Sequence, residues 1–171
     1  MALTKLNYTG QGTVPIASIP TITGAKMPAG SVLQTVQTRN IGGSITNANA
    51  TLTDTGISLS ITPSSTSNKI LITASFTSTS TFANSNGGTM YALYRNGTTN
   101  LFAGSNDEGL LQYNSNASSY NHSVSQLSYL DSPSSTSATT YGIYTKRIGS
   151  GTAALQRDWG GVTMIAMEIK G

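Results

Sequence analysis

The stretch "GISLSITPSSTSNKILITASFT", Gly56–Thr77, decides how the rest of the chain is read. In its first third, Ile57, Leu59 and Ile61 alternate with Ser58 and Ser60. A period of two puts the three apolar side chains on one face, the pattern of a half-buried strand. In its last third the alternation resumes, with Ile70, Ile72, Ala74 and Phe76 on one face and Leu71 on the other. Between them stands "PSSTS", Pro63–Ser67. Proline fixes φ, and Ser and Thr hydroxyls bond nearby backbone, so these five residues read as a connector between two strands. The same five return at Pro133–Ser137 in "SYLDSPSSTSATTYGIYTK", again between two strand candidates. The flanks of the two copies do not align, which makes this one connector used twice and not a duplicated domain.

Working outward, "SVLQTVQT" (31–38) places Val32, Gln34 and Val36 on one face. "TMYALYRNGTTNLFAG" (89–104) holds Asn96–Gly97 between two apolar runs, a hairpin signal, because a tight type I′ turn needs positive φ at both central residues. "SVSQLSYL" (123–130), "TTYGIYTK" (139–146) and "VTMIAMEI" (162–169) continue the series, and only "SNDEGLLQ" (105–112) reads as a helical turn. Eight or nine strands at these intervals predict an all-β sandwich or barrel. Residues 1–30 differ. "TVPIASIPTITGAKMPAG" mixes Pro and Gly with Val14, Ile16, Ile19, Ile22 and Met27, and reads as an extended arm packed against its own domain, a sister subunit or another protein. The expected organisation is therefore an anchoring arm, 1–30, and a sandwich domain, 31–171.

Composition narrows the function. Charged residues are 9% of the chain, against about a quarter in ordinary soluble domains. Ser and Thr number 24 and 26, Gly 18 and Asn 13. Such a surface guards its strand edges poorly against pairing with other chains, which favours edges covered by sister subunits. The net charge of +3 comes from scattered cations; nucleic-acid binding wants a clustered basic stripe, so no nucleic-acid partner is expected. There is no cysteine, and no apolar run suited to a signal peptide or a membrane span.

Catalysis finds little material. His122 is the only histidine, so one chain cannot build a multi-histidine metal site. The six acids are Asp54, Asp107, Glu108, Asp131, Asp158 and Glu168. Asp54 in "TDTG" and Asp131 in "LDSP" read as turn residues, Asp107–Glu108 as an exposed loop. The expectation is a protein that is not an enzyme, with no catalytic residue, no metal site and no cofactor. Binding residues are sought among aromatic and amide side chains in loops on a rigid scaffold: Tyr113, Asn114, Asn116, Tyr120 and Trp159, whose rings stack on sugars and whose amides bond hydroxyls, with packing at the core or a subunit seam the equal alternative for Tyr113 and Trp159.

The pieces "AGSVLQ" (29–34), "DTGISLSITPSSTSNKILI" (54–72), "YLDSPSSTSATTY" (129–141) and "MIAMEIKG" (164–171) resemble a family of bacteriophage virion proteins, the tail-fibre-like proteins, over residues 22–171. The resemblance implies an antiparallel β-sandwich of jelly-roll type, similar to C1q/TNF heads, assembled as a homotrimer. It implies a structural protein of the virion, put together in the host cytoplasm. The implied role is a short fibre or spike that attaches through its arm to a tail, baseplate or capsid protein and binds a host surface glycan or protein through the candidate loop residues. A capsid decoration protein, as cement or head fibre, is the alternative that the short arm also suits.

Overall fold

The structure, a computed structural model, describes residues 23–81, 87–104, 109–114, 120–149, 151–156 and 160–171. Eleven strands form among them: β1 (Val32–Asn40), β2 (Ile45–Asn47), β3 (Thr53–Ile61), β4 (Lys69–Thr81), β5 (Gly87–Arg95), β6 (Thr99–Asn100), β7 (Leu110–Asn114), β8 (Tyr120–Asp131), β9 (Thr139–Gly149), β10 (Thr152–Gln156) and β11 (Val162–Ile169). The number exceeds eight or nine because β2, β6 and β10 are short pieces that extend longer strands.

The strands build two antiparallel sheets. Sheet A runs β1–β11–β4–β8, with β10 continuing β11 along β4 and β2 continuing β1 along β10. Sheet B runs β3–β9–β5, with β6 and β7 both beside β5. Successive long strands cross from one sheet to the other, an order compatible with a jelly roll. The fold is an all-β sandwich, as the alternation in 56–77 requires.

That stretch supplies the core. Ile57, Leu59 and Ile61 of β3 and Ile70, Ile72, Ala74 and Phe76 of β4 share one core between the sheets, each at most 5% exposed, together with Tyr91, Leu93, Leu127, Tyr141, Ile143 and Met164. Burying each large aliphatic side chain contributes about 1.5–3 kcal/mol. Phe76 and Tyr91 meet at 4.8 Å with ring planes tilted by 59°. The Tyr91 hydroxyl donates to the Ala154 carbonyl at 2.9 Å, and burial raises its pKa.

Three local expectations are corrected. Leu110–Gln112 belong to strand β7 and not to a helical turn; β5 offers a partner ladder from Gly87 to Tyr91 that a short loop helix would leave unpaired. A register shift between Val32 and Gln34 takes Val32 off the face it was expected to share with Gln34 and Val36; it is 49% exposed. Asp131 is no turn residue. It closes β8, 5% exposed, and takes two contacts from Arg95 Nη1 at 2.8 and 3.0 Å and a hydrogen bond from the Tyr141 hydroxyl at 2.7 Å.

The hairpin at Asn96–Gly97 forms, with φ of 52° and 70° and the Thr98 amide donating to the Arg95 carbonyl at 3.2 Å. Its return strand, β6, has only two residues. Asp54 does make a turn, inside β3: its Oδ1 accepts from the Gly56 amide at 2.9 Å, and β3 bulges between Asp54 and Ser58.

Candidate functional site

The two PSSTS connectors lie at one end of the sandwich, where β3 passes to β4 and β8 to β9. They share a local hydrogen bond: the amide of the fifth residue donates to the hydroxyl of the third, Ser67 to Ser65 at 3.3 Å and Ser137 to Ser135 at 3.0 Å. The repeated letters therefore encode a repeated turn. The first copy has a further task. Ser64 donates its amide and its hydroxyl to Glu168 Oε1 at 2.6 and 2.7 Å, Asn68 donates to the same oxygen at 2.6 Å, and Gln34 donates to Oε2 at 2.6 Å. Glu168 is 1% exposed. Burial raises its pKa, but the hydrogen bonds from Asn68, Gln34 and Ser64 outweigh burial and hold it below the ordinary carboxylate value.

The same end receives the arm. Residues 24–26 make a single 3-10 turn beside Leu33, Gly30 donates to the Lys170 carbonyl at 2.8 Å, and Lys170 Nζ donates to the Met27 carbonyl at 2.5 Å. Met27 is half-buried. Val14, Ile16, Ile19 and Ile22 lie outside the described residues.

Of the five binding candidates, Tyr113 and Asn114 end β7, opposite Gly88 and Gly87, and Tyr120 begins β8, opposite Thr81. These backbone positions gather at the end of the sandwich opposite the PSSTS turns. Asn116 and Trp159 lie outside the described residues. The strands flanking 157–159 leave sheet A near Thr77 and Ser75, midway along β4, away from that end. His122 sits exposed on β8, its Nδ1 2.6 Å from the Thr79 hydroxyl. Among the described residues no three His, Asp or Glu side chains come together as metal ligands.

Two surfaces escaped the sequence reading. The first is the outer face of sheet A. Val32, Leu71, Leu130, Ile165, Met167 and Ile169 occupy its outward positions, interleaved with Thr35, Gln37, Thr73 and Ser128. Among the described residues, charged side chains enter this face only at its ends, Lys69 at one and Arg39 at the other. The second is a groove of about 420 Å³ on the outer face of sheet B, lined by Asp54, Ser58, Asn96, Gly97, Thr140, Gly142 and Tyr144. Tyr144 stacks on Tyr94 at 4.0 Å with ring planes 23° apart. Burial, then the neighbouring Asp54 and Tyr94, raise the Tyr144 pKa. The signal for the groove was present in the sequence as Gly142, a glycine inside the strand pattern "TTYGIYTK", which marks close approach of backbone to something else.

No family model matches the chain, and no curated protein matches it. Among solved structures, a similar chain is a mutant VP2 protein of infectious bursal disease virus in T=1 particles. Identity is 13% and the TM-score 0.32; the match covers 90% of this chain and 41% of that one. The chain thus spans less than half the length of this neighbour.

Proposed function

We propose that this chain is a structural protein of a bacteriophage virion: a short homotrimeric fibre or spike, anchored through residues 1–30 to a tail, baseplate or capsid protein and contacting the host at the opposite end. The observation that carries the reading is polarity. Residue 23 leaves the sandwich beside the PSSTS turns, while the backbone of Tyr113, Asn114 and Tyr120 lies at the other end. Strand β4, thirteen residues long, spans the distance between them, about 40 Å at 3.3 Å per residue. Anchor and contact surface at opposite poles suit a projecting protein. The sequence resemblance in 29–34, 54–72, 129–141 and 164–171 supplies the virion assignment.

The outer face of sheet A supports self-association. Among the described residues its centre is apolar and carries no charge, so identical copies could meet there without like-charge repulsion between those residues. Neutral hydroxyl and amide groups among the apolar ones remain able to pair across such an interface. Localisation in the virion follows from the same reading.

The test is location. Antibody labelling of intact particles, imaged by electron microscopy, is expected to mark the tail. Label spread over the head moves the chain to capsid decoration, with stabilisation of the head as its role. A chain lacking residues 1–22 is expected to remain folded and to lose attachment; decorated particles from that chain overturn the anchoring role.

A further inference from the structure

The groove on sheet B has a floor, a wall and a rim, each built by identifiable residues. The floor is backbone. Gly142 stands in mid-strand, and a Cβ there would project between Tyr144 and Ser58, at 3.6 and 3.8 Å. The space exists because that methyl is missing. The wall is the Tyr144 ring, held in place by its stack on Tyr94. The rim is polar and oriented in advance. Asn96 Oδ1 accepts from the Thr140 amide at 2.9 Å, which leaves Nδ2 as the side-chain group able to donate. Asp54 Oδ1 accepts from the Gly56 amide at 2.9 Å, which fixes the carboxylate as an acceptor on the other side. Among the described residues no Lys or Arg lines the groove.

We propose that this groove binds a neutral pyranose, free or at the end of a polysaccharide. A pyranose has an apolar face of C–H groups, which pack on an aromatic ring, and an equator of hydroxyls, each needing a donor and an acceptor. Tyr144 supplies the ring, and Asn96 and Asp54 supply the pair. The Asp54 carboxylate on the rim disfavours phosphate, nucleotides and acidic sugars. The volume suits one or two sugar units, and the openness of the groove sets a weak affinity, with Kd of order 1 mM. The groove stands on its own geometry, apart from the virion reading.

The experiment is saturation-transfer NMR on the purified full chain with the methyl glycosides of glucose, galactose, mannose and N-acetylglucosamine. At least one is expected to receive saturation when the tyrosine rings are irradiated, and sodium phosphate is expected not to compete. Gly142→Val fills the floor and is expected to weaken binding at least about tenfold. Asp54→Ala removes an exposed acceptor and is expected to do the same, which keeps the test decisive should Gly142→Val fail to fold. Absence of transfer to all four glycosides overturns the proposal. So does binding left intact in Asp54→Ala or in a folded Gly142→Val. Neither result bears on where the chain sits in a particle.

Discussion

Glu168 and Asp131 are buried acids, the first holding a connector to sheet A and the second joining β8 of sheet A to Arg95 and Tyr141 of sheet B, and each gives a prediction. Glu168 accepts four hydrogen bonds from Gln34, Ser64 and Asn68. A glutamine there carries one acceptor and one donor group, and its amide faces donors already in place. Glu168→Gln is expected to cost about 1–3 kcal/mol, read as a lower thermal midpoint. The pH profile has a definite sign. The folded-state pKa lies below the ordinary value of 4.5, so the contribution is complete above that value and is lost as pH falls through the folded-state pKa. Denaturant titrations between pH 6 and 3 are expected to show that acid slope flattened in the variant. At Asp131, Arg95→Ala leaves a carboxylate 5% exposed with only the Tyr141 hydroxyl. The expected loss is about 3 kcal/mol, and Tyr141→Phe is expected to lose less, about 1 kcal/mol. Neither role was legible beforehand. An acid at the end of a strand pattern looks the same whether its partner is water or an arginine 36 positions away.

At the scale of elements, strands with β-branched residues in alternation were readable: β3, β4, the middle of β9 and β11. Those that escaped lack that signature. Strand β10 is "TAALQ" and β7 is "LLQYN"; the ladders of β4 and β5 recruit them, and no propensity of their own announces it. The break between β10 and β11 illustrates a second cause. Both strands follow β4, yet the chain departs between them, and β1 parts from β2 at the same level. The departure rests on Gly161, with φ of 80°, where a Cβ would come within 3.0 Å of the Asn40 carbonyl oxygen and 2.9 Å of Ile41. Arg39 Nη2 ties the same place to the Gly160 carbonyl at 3.2 Å. Gly161→Ala therefore meets both strain and backbone overlap and is expected to destabilise by about 2 kcal/mol or more. Gly160→Ala, with φ of 100° and open space around it, is expected to cost about 1 kcal/mol. Equal losses in the two variants, measured by urea unfolding, would remove the packing argument.

For the whole molecule, the sandwich was legible from one stretch of 22 residues, because two alternating strands around a turn already demand a covered face. The outer surfaces were not. Which alternate residues face water and which face another copy is the same pattern in one dimension, and Ile165 and Met167 differ from solvent-facing residues only by what surrounds them in three. If sheet A is the subunit seam, Met167→Lys is expected to give a folded monomer, seen as a smaller sedimentation coefficient with an unchanged far-ultraviolet spectrum. An unchanged coefficient would place the seam elsewhere. One further consequence concerns load. Residue 23 enters the domain at the start of β1, whose hydrogen bonds run to β11 from Val32 to Asn40, reinforced by the Gly30 and Lys170 amides. A pull on the arm along the long axis of the sandwich runs parallel to that ladder. It strains all of its bonds together in shear and does not peel them one at a time. An anchor joined at this point resists tension along the axis far better than tension across it, which is the direction a projecting particle component meets when its far end is held.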